Sequence, residues 1–171
     1  GDGAGAVVLG QTELAAGGRG ILSSRIHADG CMADVMRVPG GGSREPMDHA
    51  RLEARRHFLR WDGPALKAVT IKHLSTYSMQ ALKSARLTSA ELDWVIPLQA
   101  NRTIVEAISE RLGYPLSKFI LNLERYGNTM AASIPIALDE GIRDGRLEAG
   151  HTALVCALGA GISWGAMLIR L

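Results

Sequence analysis

The stretch Thr152-Ala153-Leu154-Val155-Cys156-Ala157-Leu158 leads through Gly159-Ala160-Gly161 into a second apolar run from Ile162 to Leu171. Its reading decides the fold class. A nearly continuous apolar run of this length, bounded by glycines, suits a strand covered on both faces. Working back along the chain, Met130 to Arg146 has helical character until Gly145, and Phe119-Ile120-Leu121 is a short apolar strand candidate. Asn101 to Gly113 places Ile104, Val105, Ile108 and Leu112 on one helical face, and Trp94-Val95-Ile96-Pro97 before it reads as a strand. This β-α-β-α-β-β order implies an α/β class: a layered mixed sheet covered by helices.

Upstream, Leu66, Val69, Ile71, Leu74, Met79 and Leu82 recur near the 3.6 period, so the spacing predicts a helix over Pro64 to Leu87 with Pro64 in its first turn. Thr88-Ser89-Ala90-Glu91 has capping-box spacing. Asp48 to Trp61 sets Arg51, Arg55, Arg56 and Arg60 among Leu52, Ala54 and Leu59, a pattern compatible with a basic helical stretch. Val38 to Pro46, containing Pro39-Gly40-Gly41-Gly42-Ser43, reads as a loop. Ile21 to His27 alternates imperfectly between Gly20 and Asp29-Gly30 and is expected as a strand. Gln11 to Gly20 reads as a turn-rich connection, and Ala6 to Leu9 as a short buried strand behind a glycine lead.

The chain has 171 residues, 47% of them hydrophobic, enough for one domain with a core. A formal charge of +2 falls short of the basic bias of a dedicated nucleic-acid binder. Cys31 and Cys156 lie far apart, and no paired Cys/His spacing suggests a zinc site, so no metal is expected and a reducing, cytoplasmic setting fits best. No apolar run approaches the roughly 18 residues of a membrane helix. The chain opens on Gly1-Asp2-Gly3-Ala4-Gly5-Ala6 without a Met, which raises the expectation of a fragment, a processed chain or one piece of a split protein.

Three junctions between loops and regular elements stand out, because an α/β scaffold presents function at the carboxyl ends of its strands. They are Pro97-Leu98-Gln99-Ala100-Asn101, Tyr126-Gly127-Asn128-Thr129 and Gly159-Ala160-Gly161. Asn128 is suited to donate its amide to a developing oxyanion, and the glycine turn can offer a bare backbone N–H. The same spacing also fits Asn128 and Asn101 as plain helix caps and the glycines as a tight turn. Nucleophilic catalysis needs Ser or Cys beside a base. Cys156, mid-strand, reads as inert core, and Cys31 is a weak reactive candidate. His27, His49, His57, His73 and His151 show no selecting spacing, with His57 and His73 reading as helix surface. Gly1 to Gly5 lacks the lysine and following helix of a phosphate loop.

Taken together, Gly1 to Leu9, Trp94 to Asn101, Tyr126 to Asp144 and Gly159 to Leu171 resemble the carboxyl-terminal half of the ketoacyl synthase III (3-oxoacyl-acyl-carrier-protein synthase III) family of the thiolase superfamily. The specific match is Gly127-Asn128-Thr129-Met130-Ala131-Ala132-Ser133-Ile134-Pro135 with Ala137-Leu138-Asp139-Glu140. The resemblance implies an acyltransferase of fatty acid or polyketide biosynthesis, acting on CoA or phosphopantetheine thioesters with no bound cofactor. It implies residues 1-20 as the last strand and connection of an otherwise missing amino-terminal half, and 21-171 as a thiolase-like carboxyl-terminal domain. The family's nucleophilic cysteine belongs to that other half. Partners would be an amino-terminal half or partner subunit, an acyl-carrier protein, and further copies in a homo- or hetero-oligomer.

Residue by residue, Asn128 matches the family asparagine that holds the malonyl thioester carbonyl. Leu98 stands where the family has its histidine, and leucine neither donates a hydrogen bond nor exchanges a proton. Ala160 occupies the central position of a three-glycine turn whose N–H contributes to the oxyanion hole. Asn101 and Gly63 fall nearest the pantetheine-binding positions. The resemblance puts a carrier-protein contact at Thr103, for which Arg102, with Arg51, Arg55, Arg56 and Arg60, is the available substitute; the same arginines fit a solvated basic face equally well. A degenerate, non-catalytic subunit completing a catalytic partner is the alternative that Leu98 suggests.

Overall fold

The computed structural model of the chain describes residues 1–11 and 18–171. Among these, β1 (Gly20–Ala28), β4 (Trp94–Pro97), β5 (Thr152–Gly159) and β6 (Ser163–Arg170) form one sheet in the order β1-β6-β5-β4. β4 pairs parallel with β5, while β5–β6 and β6–β1 are antiparallel. Both sets of side chains on β5 are buried, which is why this strand reads as an unbroken apolar run. Leu154, Cys156 and Leu158 join Trp164, Ala166 and Leu168 of β6 beneath α2 (Gly63–Ala85) and α3 (Arg102–Leu112). Ala153 and Val155 face the other way, with Ile96, onto Ala137 of α5 (Ser133–Arg143) and Leu147.

Local sequence explains the helix ends. Asp62 caps α2 by accepting the Ala65 N–H at 3.0 Å, with Pro64 in the first turn, and Arg86 closes the helix in the left-handed region. Glu91 reaches back to the Thr88 N–H at 2.8 Å, and the Thr88 hydroxyl donates to the same carboxylate oxygen at 2.9 Å. The imperfect alternation of β1 has a physical cause: the register shifts between Ile21 and Ser23, a bulge that changes which face later residues take. Ser23 then donates to the Ala81 carbonyl of α2, and His27 packs on Trp164.

Several expectations are corrected. Ala6 to Leu9 is not a buried strand: Val8 is 95% exposed and the segment pairs with no strand among the described residues. An extended segment needs a neighbour for its backbone groups and one buried face, and here it has neither. The glycine lead instead runs beside Thr129, Pro135 and Ile136, with the Gly1 amine donating to the Asn128 carbonyl at 2.9 Å. Most of the expected Gln11 to Gly20 connection, residues 12–17, lies outside the described residues.

The basic stretch forms only α1 (His49–Glu53), because Leu52, Phe58 and Leu59 find no core to bury against and Arg55 turns left-handed. The chain then makes β3 (Arg60–Trp61), which pairs with β2 (Met36–Arg37). Phe119-Ile120-Leu121 contracts to one parallel bridge between Phe119 and Val95. His73 is not helix surface but stacks on Trp164 at 3.9 Å, and His57 is exposed on a turn after α1. Helices cover one sheet face broadly and the other mainly over β4 and β5. On that second face, beside β1 and β6, an apolar groove bounded by Ile26, Val155, Ala157 and Met167 stays open, and Ile26 is 86% exposed.

Candidate active site

The parallel pairing of β4 with β5 brings the carboxyl ends of both strands to one edge of the sheet. The Phe119 bridge adds a third parallel segment, with the Ile120 N–H donating to the Val95 carbonyl at 2.9 Å. The first and third junctions singled out by sequence therefore leave the sheet at the same edge, and the second follows the third parallel segment through α4 (Leu123–Tyr126). The amino end of α2 points there too, since Ala81 meets Ser23 while His73 and Tyr77 meet His27 and Trp164 beside the β5–β6 turn. Gly63 begins α2 at that end.

Leu98 is half-buried, its N–H donating to the Cys156 carbonyl at 2.7 Å, so its Cα is set by the sheet rather than by its side chain. Asn101 caps α3: its Oδ1 accepts the Ile104 N–H and the Thr103 hydroxyl, each at 3.0 Å. Arg102 is engaged by Glu106 at 2.9 Å and Glu124 at 2.7 Å, so its charge is already matched. Of the other arginines named for the basic face, Arg51 pairs with Asp48 and Arg56 with Glu45.

The second junction is a tight turn. α4 (Leu123–Tyr126) ends at Gly127, whose φ of 68° and ψ of −163° suit glycine rather than a residue with a Cβ. The Asn128 Oδ1 then accepts the Met130 N–H at 2.8 Å. That bond fixes the amide plane and leaves Nδ2 as its donor. Met130 itself sits at φ 54°, a left-handed conformation unusual for a residue with a side chain. In the third junction, Ala160 is not among the residues with positive φ, so alanine fits its place without backbone strain. The turn is tied to the end of β1 by reciprocal backbone bonds between Asp29 and Ile162, at 2.8 and 3.1 Å.

Beneath these loops lie polar residues to which sequence spacing assigns no role. Gln99 is fully buried; its Nε2 donates to the Ile120 carbonyl at 3.2 Å and its Oε1 accepts the Asn122 N–H at 2.7 Å. Glu140 of α5 receives the Asn122 amide at 3.1 Å, Arg125 at 2.8 Å and the Tyr126 hydroxyl at 2.6 Å. Burial would raise its pKa, but Tyr126, Asn122, Arg125 and Arg146 outweigh that and hold the carboxyl below its ordinary range. The available signal was a glutamine directly after an apolar strand, where only a partnered polar side chain can be buried.

The remaining candidates separate from this edge chemistry. Cys156 is buried and its thiol is pushed up to about 12 by desolvation, so it is inert; Cys31 is exposed. Among the described residues no group of His, Cys, Asp and Glu is arranged to hold a metal, and no helix is long and apolar enough to cross a membrane.

Residues 82–171, more than half of the chain, match the model of the 3-oxoacyl-(acyl-carrier-protein) synthase III C-terminal family. The beta-ketoacyl-(acyl-carrier-protein) synthase III of Paramagnetospirillum magneticum is 40% identical over 174 residues, covering 100% of this chain and 51% of that protein. The enzyme of the same name from Erythrobacter litoralis is 39% identical, covering 99% and 50%. The crystal structure of 3-oxoacyl-(acyl-carrier-protein) synthase III from Aquifex aeolicus superposes with a TM-score of 0.78 at 33% identity, covering 90% of this chain and 45% of that one. A priming beta-ketosynthase from the R1128 polyketide pathway gives 0.76 at 28% identity, covering 89% and 45%. The chain thus spans about half the length of the curated relatives it matches. A shared sheet edge, the Gly127-Asn128 turn within the matched region and these superpositions lead to one assignment: the chain belongs to the 3-oxoacyl-(acyl-carrier-protein) synthase III family, of which it carries the thiolase-fold carboxyl-terminal part.

Proposed function

We propose that the chain provides the carboxyl-terminal wall of a ketoacyl synthase III-like acyltransferase site acting on CoA or carrier-protein thioesters in fatty acid or polyketide biosynthesis. The observation that carries this is the Asn128 turn, where the Met130 N–H occupies Oδ1 and leaves Nδ2 free to donate. In this reading Asn128 Nδ2 and the Ala160 N–H polarise the thioester carbonyl, and a cysteine on a separate amino-terminal thiolase-like half or partner subunit takes the acyl group. Asn101 and Gly63 border the path of the pantetheine arm. The open apolar groove beside β1 supports a second half packing there. On the same reading residues 1–20 belong to that half's last strand and connection, which accords with Ala6 to Leu9 having no strand partner among the described residues.

Leu98 divides starter transfer from condensation. Losing one oxyanion donor costs about 3–4 kcal/mol, roughly a hundred- to a thousandfold in rate, so decarboxylative condensation is the weak step here. The same residue favours a second reading, a non-catalytic subunit that completes or regulates a catalytic partner; the pairing of Arg102 with Glu106 and Glu124 also removes a free cation for the carrier protein. Intact-mass measurement of the chain assembled with its amino-terminal half, after incubation with acyl-CoA, separates the two. An acyl adduct on the assembly, whose transfer slows in Asn128→Ala, is the expected result. No adduct with any partner refutes the acyltransferase reading.

A further inference from the structure

We propose that Gln99 and Glu140 are positioning residues that clamp α4 from its two sides and so set the direction of the Asn128 amide; the inference rests on the reading of Asn128 as a thioester donor. α4 has four residues, too few to hold a helical turn in place by its own hydrogen bonds. Nor does Asn122 at its amino end cap it by side chain. The Asn122 amide goes instead to Glu140 on α5, and its backbone N–H goes to the buried Gln99 Oε1. One residue thus joins the loop after β4 to the helix that follows Asn128.

At the carboxyl end of α4, Arg125 and Tyr126 both donate to Glu140. Tyr126 is two residues before Asn128, and between them only Gly127 intervenes. The Gly127 N–H is itself bonded to the Leu123 carbonyl of α4 at 2.8 Å, so the turn that carries Asn128 starts from wherever α4 is held. Glu140 is well placed to hold it: its side chain is 16% exposed and receives three donors, two of them neutral and one cationic. Hydrogen bonds to a charged acceptor are the stronger kind. Gln99 performs the matching task from the sheet side, with both ends of its amide bonded. The chain Gln99–Asn122–Glu140–Tyr126 therefore couples the loop carrying Leu98 and Asn101 to the turn carrying Asn128.

The test uses the 1–171 chain labelled with 15N and reads two signals: exchange of the Met130 N–H, which is bonded to the Asn128 Oδ1, and the side-chain amide resonance of Asn128. Glu140→Ala is expected to speed Met130 exchange about ten- to a hundredfold and to shift the Asn128 amide, while exchange in β5 and β6 stays unchanged. Glu140→Gln, which keeps one oxygen to accept from Asn122 and Arg125 and offers its NH2 to the Tyr126 hydroxyl oxygen, is expected to recover part of the protection. If Glu140→Ala loses protection in β5 and β6 as well, Tyr126→Phe, which deletes one hydroxyl only, carries the test with a shift in the same direction. Unchanged Met130 exchange and an unmoved Asn128 amide in the folded variants overturn the proposal. In the assembled protein, Glu140→Ala should lower kcat with KM unchanged. If Asn128→Ala leaves acyl transfer intact, the functional reading fails on its own, and the exchange data still decide the clamp.

Discussion

Restoring a histidine at Leu98 asks the most of this structure. Leu98 is half-buried at the end of β4, and its backbone is held independently of its side chain by the 2.7 Å bond to the Cys156 carbonyl and by the two bonds of Gln99 next to it. An imidazole at this position would start from a fixed Cα. The apolar burial lost is partial, roughly 1 kcal/mol, against about 5–15 kcal/mol for a domain of ordinary stability. The gain is one donor to the thioester carbonyl, about 3–4 kcal/mol, so malonyl-thioester decarboxylation by the assembled protein should rise roughly a hundred- to a thousandfold. Carbon dioxide release from a malonyl thioester measures it, with urea unfolding as the check on folding. The gain should disappear when Asn128→Ala is added, because the two donors share one oxygen. A Leu98→His protein that folds and loads acyl groups but decarboxylates no faster than its parent refutes the assignment of this edge as the site.

Gly161→Ala should destabilise the chain by about 1–3 kcal/mol in urea unfolding, because Gly161 has φ 144° and a Cβ there would lie 2.7 Å from the Ser163 Oγ; Gly159→Ala, with open space around it, should be near neutral. His73 is held below its ordinary pKa first by burial, then by Lys72 and His27, with Asp29 opposing. The unfolded chain therefore binds the proton first as pH falls below about 6.5, so the urea midpoint should drop between pH 7.5 and 5.5, and His73→Phe should show a smaller drop. Iodoacetamide at pH 8 should alkylate Cys31 alone in the native chain, with Cys156 reacting only after denaturation, as read by intact mass.

The order of strands and helices was legible in the sequence because buried strands and amphipathic helices have different periods. The run from Thr152 to Leu158, the face of Ile104, Val105, Ile108 and Leu112, and the period of Leu66 to Leu82 all became the elements they predict. The misreadings share a cause. Ala6 to Leu9, the stretch after Glu53 and Phe119 to Leu121 have suitable local composition, but an element persists only where a partner buries its apolar side or completes its hydrogen bonds.

For the candidate site the division is similar. Sequence by itself determined which residue types stand at the three junctions, including an asparagine that can donate at position 128 and a leucine that cannot at position 98, since side-chain chemistry does not depend on folding. Tertiary structure alone decided that the junctions after Pro97 and after Gly159 share one edge, because that follows from the parallel register of β4 with β5. It also decided the states of particular groups: Asn101 as a cap, Arg102 as a paired cation, His73 against Trp164, and Gln99 and Glu140 as the bonded supports of α4. Each depends on atoms far apart in the chain, and burial and hydrogen bonding are set by where those atoms meet.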